Sequence, residues 1–240
     1  SRPGKTSGIL VMLDLSQLLQ VPHVDPAFDI SPDGSRIAFS WNKTGDWQLY
    51  ELNLASGESH AITKNTGAKF SPHYSPDGTQ LAYVVDFDGG ENFHLYLKTL
   101  SSEKERDLTP DISYALQPNT AWSPDGREIA FLADKSGHFD AYILNVKDGN
   151  SRLIFSNGHP CWNVTWSPDG RWLAGISVND QSVYLWDLQN RDAAPRVLRA
   201  LGVRTGVRVV TLSYSFWDWH GRLEREDAAL AHVPTQDAWR

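Results

Sequence analysis

The chain has 240 residues, 40% of them hydrophobic, with a formal net charge of −7. That is enough for one large all-β domain with a core, while the acidic balance argues against a nucleic-acid partner, which wants a basic face. No apolar run reaches the roughly 18 residues of a membrane helix, and a single cysteine, Cys161, excludes both a disulfide framework and a paired-cysteine metal site.

Residues 1–11 lack the layout of an export signal. The only methionine is Met12, so 1–11 are expected to be a leader ahead of a natural start, and the chain to be cytoplasmic, with the periplasm as the alternative. Residues 12–190 then repeat. Ser-Pro-Asp-Gly stands at Ser31–Gly34, Ser75–Gly78, Ser123–Gly126 and Ser167–Gly170, at spacings of 44, 48 and 44 residues. A bulky residue precedes each copy: Ile30, Tyr74, Trp122 and Trp166. An apolar strand follows: Ile37–Phe39, Leu81–Tyr83, Ile129–Phe131 and Leu173–Gly175. About 20 residues on, each copy has a strand centred on a tyrosine, Tyr50, Tyr96, Tyr142 or Tyr184. After a polar turn, a short fourth strand is predicted at Ala61–Thr63, Asp107–Thr109, Leu153–Phe155 and Arg196–Leu198.

In the marker, Pro presets φ, Asp bonds back to nearby amides, and Gly takes the positive φ that closes a hairpin. Four strands per period of about 45 residues is a propeller blade. The fold class is therefore an all-β propeller of four-stranded blades, with four clear blades. A fifth marker is due near residue 211, where the sequence reads Thr211–Trp219 without it. Residues 191–240 carry eight arginines, and no lysine follows Lys147. They are either a degenerate closing blade or an unrelated tail. Exposed blade edges would then favour a homodimer.

The repeat, Ser-Pro-Asp-Gly followed by Ile/Leu-Ala-Phe/Tyr, Leu-Tyr and Leu-Thr, resembles that of the TolB-like propellers. These include periplasmic Tol-Pal proteins and the N-terminal propellers of prolyl oligopeptidase-family serine peptidases, of the acylaminoacyl- and dipeptidyl-peptidase types. Residues 13–34 and the hairpin Asp86–Tyr96 resemble the peptidase branch. That resemblance implies a non-catalytic gating or interaction propeller, its partners a peptide or protein and a missing α/β-hydrolase domain. It also implies that Glu91 and Asn92 contact a substrate terminus. The hydrolase signature itself is missing: Gly175–Asn179 lacks the second glycine of a nucleophile elbow, so catalytic residues are not expected. The TolB branch implies a protein-binding module instead.

The inner end of each blade should line a central channel, placing His23, Asp25, Asp29, His73, Gln117, Asn119, His159 and Asn163 there. No cofactor is required. Histidines and carboxylates from different blades are nonetheless the ligand types of a divalent metal, which keeps a lactonase- or phosphotriesterase-like metal hydrolase as a further alternative. The tryptophans Trp122, Trp162, Trp166, Trp172 and Trp186 are expected between blades, Trp41, Trp47 and Trp217 on the surface, and Cys161 buried.

Overall fold

The computed structural model describes residues 22–110, 113–156, 158, 160–177, 182–190 and 193–199. Each Ser-Pro-Asp-Gly is a hairpin turn. Gly34, Gly78, Gly126 and Gly170 have φ between +69° and +71°. The serine does more than the sequence suggested. Ser31 Oγ donates to Asp33 Oδ1 at 2.6 Å and accepts the Arg36 N–H at 2.9 Å, and Asp33 Oδ1 also accepts the Ser35 N–H at 3.0 Å. The same buried serine knot recurs at Ser75, Ser123 and Ser167.

These turns join the first two strands of four antiparallel sheets of four strands each. The first holds β1 (Val24–Ile30), β2 (Arg36–Trp41), β3 (Gln48–Asn53) and β4 (Ser59–Ala61). The second holds β5 (Ala68–Tyr74), β6 (Gln80–Asp86), β7 (His94–Thr99) and β8 (Glu105–Asp107). The third holds β9 (Leu116–Trp122), β10 (Glu128–Ala133), β11 (Asp140–Asn145) and β12 (Ser151–Phe155). The fourth holds β13 (Cys161–Trp166), β14 (Trp172–Ser177), β15 (Ser182–Asp187) and β16 (Arg196–Arg199). Among the described residues all regular structure is β, and no helix is long and apolar enough to cross a membrane.

The first strands touch one another in sequence, β1 with β5, β5 with β9, and β9 with β13, so they are the innermost strands of a propeller. The apolar core lies in the seams. Ala38 and Leu49 meet Leu81, Tyr83 and Val85 in the first seam. Val84, Leu95 and Leu97 meet Ile129, Phe131 and Leu144 in the second. Leu132 and Ile143 meet Leu173, Tyr184 and Trp186 in the third. The marker turns also stack across seams. A Cβ placed on Gly78 would lie 3.4 Å from Pro32 Cδ, one on Gly126 3.6 Å from Pro76 Cδ, and one on Gly170 3.7 Å from Pro124 Cδ.

Three expectations are corrected. The outer strands of the first two sheets end at Ala61 and Asp107, earlier than predicted, because threonine hydroxyls take over from the backbone. Thr63 Oγ1 accepts the Leu49 N–H at 2.9 Å, and Thr109 Oγ1 the Leu95 N–H at 2.8 Å. The blades run past residue 190, since β16 is the outer strand of the fourth sheet. Trp41 and Trp47 are half-buried rather than exposed; Trp41 packs 5.2 Å from Tyr50, and Trp47 5.3 Å from Phe70. Cys161 is buried as expected. Residues 1–21 and 200–240, with Trp217, lie outside the described residues.

Candidate functional site

The inner strands are irregular in every sheet. Register shifts lie between Val24 and Phe28, between Phe70 and His73, between Leu116 and Thr120, and between Cys161 and Asn163. Proline stands in three of the bulges, at Pro26, Pro72 and Pro118. Proline lacks a ladder donor, so it belongs on an edge strand or in a bulge, and bulges re-aim side chains. Ser71, just before Pro72, has φ +50°, a left-handed conformation uncommon for a residue with a Cβ.

The predicted channel residues mostly sit in or beside these bulges. Asp25 Oδ1 accepts the Ala27 N–H at 2.8 Å, shaping its own bulge. His23 is exposed just ahead of β1, bonded through its backbone N–H to Asn42. Asp29 reaches across the first seam, its Oδ2 accepting the Tyr74 N–H at 2.8 Å. Asn119 reaches across the third, its Nδ2 donating to the Trp162 carbonyl at 2.8 Å. Gln117 and Asn163 are half-buried in β9 and β13. His159 lies outside the described residues.

Bulky residues ahead of the marker supply the other cross-seam bonds. Trp122 Nε1 donates to the His73 carbonyl at 3.0 Å, and Trp166 Nε1 to the Ala121 carbonyl at 3.1 Å. Tyr74 occupies the same place in the second sheet, and its hydroxyl donates to Glu51 at 2.9 Å. Ile30 is the corresponding residue of the first sheet and is 50% exposed, because no preceding sheet covers it among the described residues.

His73 lies beside Asp29. Burial lowers its pKa, and the Asp29 charge opposes that shift only in part. Among the described residues no group of three or more His, Cys, Asp or Glu side chains comes together. Of the expected ligands, Asp29 and His73 are neighbours, while Asp29 and Asn119 spend polar atoms on cross-seam bonds and Asp25 on its own bulge.

Glu91 and Asn92 are exposed in the loop between β6 and β7. Asp86 organises that loop, Oδ1 accepting the Gly89 N–H at 2.9 Å and Oδ2 the Glu91 N–H at 3.2 Å; Glu91 has φ +59°. Of the five tryptophans expected between blades, Trp122, Trp166 and Trp186 are buried or half-buried there, while Trp172 is buried on the far face of the fourth sheet with Ala174 and Leu185. Trp162 is the exception, at 55% exposed. It is the extra residue of its bulge, opposite no residue of β14, and the pattern that places its neighbours does not reach it.

Four four-stranded antiparallel sheets, arranged with their first strands innermost, define the class: a β-propeller. The chain belongs to the TolB beta propeller domain family (PD40), which matches residues 17–201. It is 32% identical over 144 residues to dipeptidyl-peptidase 5 of Porphyromonas gingivalis, covering 55% of this chain and 21% of that protein. It is 29% identical over 138 residues to a TolB homologue of Chlorobium luteolum, covering 58% of this chain and 30% of that one. The chain thus spans less than a third of either curated relative. A solved structure of a TolB protein from Agrobacterium tumefaciens superposes with a TM-score of 0.62 at 24% identity, over 72% of this chain and 64% of the other. A puromycin-hydrolysing peptidase of Mycobacterium tuberculosis superposes with a TM-score of 0.60 at 14% identity, over 72% of this chain and 31% of the other. At these identities the two solved structures establish the fold alone.

Proposed function

We propose that this propeller is a non-catalytic binding unit that receives a peptide or protein at the inner-strand end carrying Trp162, gating access to a hydrolase domain of the same polypeptide. The observation that carries this reading is how the inner strands use their polar groups. Asp29 and Asn119, two of the residues expected in the channel, hold neighbouring strands together. What is left open at the bulges is a binding surface, with an exposed tryptophan, a residue type enriched at interaction hot spots. Glu91 and Asn92, exposed on their loop, are the candidate contacts to a peptide terminus. The relation to a dipeptidyl-peptidase supports the gating role; the relation to TolB supports protein binding by the same surface. Fold alone does not assign either, since one fold hosts many functions. The apolar, exposed Phe28 and Ile30 on the first sheet are the contact we assign to a further domain or a second copy.

The test uses the purified chain. It should give no turnover of aminoacyl or dipeptidyl p-nitroanilides, with or without added Zn²⁺ or Mn²⁺, and should bind a mixed peptide library with a signal that Trp162→Ala removes. Turnover that follows the protein through purification would overturn the reading.

A further inference from the structure

The first seam differs from the other two at one position. The aligned register of the repeats (Phe39 opposite Tyr50, Tyr83 opposite Tyr96, Phe131 opposite Tyr142, Gly175 opposite Tyr184) makes Glu51, Leu97 and Ile143 equivalent, and likewise Lys98, Leu144 and Trp186. The second seam buries Leu97 with Leu144, and the third Ile143 with Trp186. In the first seam these places are held by Glu51 and Lys98, 9% and 4% exposed. Burying charge where two sister seams bury hydrocarbon is unfavourable unless the charge is fully satisfied. Glu51 is satisfied, by Arg36 at 3.1 Å and the Tyr74 hydroxyl at 2.9 Å. Lys98 is not: its Nζ makes no hydrogen bond and lies 3.5 Å from Glu105 and 4.0 Å from Glu103.

The same seam is open at its outer rim. In the second seam Arg106 of β8 crosses to the carbonyls of Val146 and Lys147 and fills the gap. The equivalent residue of β4 is His60, opposite Glu51 as Arg106 is opposite Leu97, and it is exposed. What remains is an open recess of about 530 Å³. Arg36, Lys64 and Lys98 line it against Glu51 and Glu103, with His60 as the remaining titratable group and Ala61, Ile62 and Leu100 as apolar wall.

Glu103 indicates what the cavity takes. Its side chain is 79% exposed, yet its carboxylate bridges Lys98 at 4.0 Å and Lys64 at 3.5 Å. It is an exposed carboxylate at the mouth of the recess, set between the two lysines, of which Lys98 also faces Glu105 at 3.5 Å. We propose that this cavity binds a small carboxylate with an apolar body. The ligand displaces Glu103 between Lys64 and Lys98 and lays its hydrocarbon on Ile62 and Leu100.

The full chain is titrated at neutral pH with N-acetylleucine, with its neutral amide, and with the tripeptide Ala-Ala-Leu, by calorimetry. N-acetylleucine should bind saturably and the amide about tenfold more weakly or worse, the scale of a lost charge-assisted hydrogen bond. Tighter binding of the tripeptide would make a chain end the natural source, and equal or weaker binding a free acid; both accord with the proposal. Lys98→Met should weaken binding by about tenfold. Glu103→Ala, at an exposed position, should tighten it by about two- to fivefold, the worth of a surface ion pair, a direction that damage to the fold cannot imitate. No saturable binding, equal binding of acid and amide, or a Glu103→Ala variant no tighter than the parent would each overturn it.

Discussion

Trp122 donates its indole N–H to the backbone carbonyl of His73, 3.0 Å away across the seam between the second and third sheets. Trp166 does the same to Ala121 one seam further on. An inner strand is an edge, and its outward carbonyls need donors. Trp122→Phe keeps most of the ring and removes the donor. It should lower unfolding free energy by about 1–2 kcal/mol, a net hydrogen bond plus some lost packing. Trp166→Phe should do likewise, and the double variant should show the sum, since the two bonds lie in different seams. Urea unfolding measures all three; a Trp122→Phe chain as stable as the parent would show that water satisfies the carbonyl equally well.

The glycine of each marker has two duties that one pair of substitutions separates. Gly34 and Gly78 share φ near +70°, but nothing lies within 4 Å of a Cβ on Gly34, whereas one on Gly78 meets Pro32 at 3.4 Å. Both alanine variants should lose about 1–2 kcal/mol from the left-handed conformation. Gly78→Ala should lose a few tenths more as Pro32 gives way. Equal losses, measured by thermal unfolding, would mean the stacked turns are loose enough to absorb a methyl group.

That pair also marks the limit of what could be read in advance. The marker, the tyrosine strand and their spacing are local, so the sheets and their hairpins were legible from single copies. Contacts between copies were not. Pro32 meets Gly78 only because successive blades stack, and Asp29 meets the Tyr74 N–H only because β1 and β5 lie side by side. The histidines and carboxylates were expected to line a channel, but the hydrogen bonds that Asp25 and Asp29 make were invisible. A strand pattern assigns alternate faces, and the bulges at Pro26, Pro72, Pro118 and Trp162 break that alternation where function was sought. Thr63 and Thr109 misled in a smaller way, since a side-chain hydroxyl stood in for a backbone rung.

The marker aspartates make the fold acid-sensitive in a defined window. The Ser31 hydroxyl, then the Ser35 amide and hydroxyl, hold Asp33 down from 3.8 to about 2. Asp77, Asp125 and Asp169 are lowered in the same way, with the hydroxyls of Ser75, Ser123 and Ser167 as the largest cause. A carboxyl with a depressed folded-state pKa adds stability that is complete above its unfolded value and is lost as pH falls through the folded one. The melting temperature should therefore drop between pH 3.8 and about 2. His73, lowered from 6.5 mainly by burial, should begin a separate loss as pH falls below that value, because the unfolded chain takes up the proton first. Ser123→Ala should lower stability at neutral pH and make the acid drop shallower; an unchanged slope would detach the hydroxyl from the effect.

Gly175 stands where the other three sheets carry Phe39, Tyr83 and Phe131, and the exchange is explained by Trp186. A Cβ on Gly175 would lie 2.6 Å from that ring. The Trp186 ring is buried, near parallel to Tyr184 at 6.3 Å and 5.6 Å from Phe155. The fourth sheet has moved its large aromatic from β14 to β15, where the equivalent residues are Leu52, Lys98 and Leu144. Volume is conserved across the pair rather than at either position. Gly175→Ala should destabilise by about 1–3 kcal/mol through overpacking, and Trp186→Leu by a similar or larger amount through the cavity it opens. The double variant Gly175→Phe/Trp186→Leu copies the arrangement Phe131 with Leu144 and should recover much of the loss, giving a coupling of at least about 1 kcal/mol in the cycle. Chemical unfolding of the parent, both single variants (Gly175→Phe, Trp186→Leu) and the double supplies the cycle. Strict additivity would mean that the two positions do not share one volume, and that the glycine answers to the backbone of β14 alone.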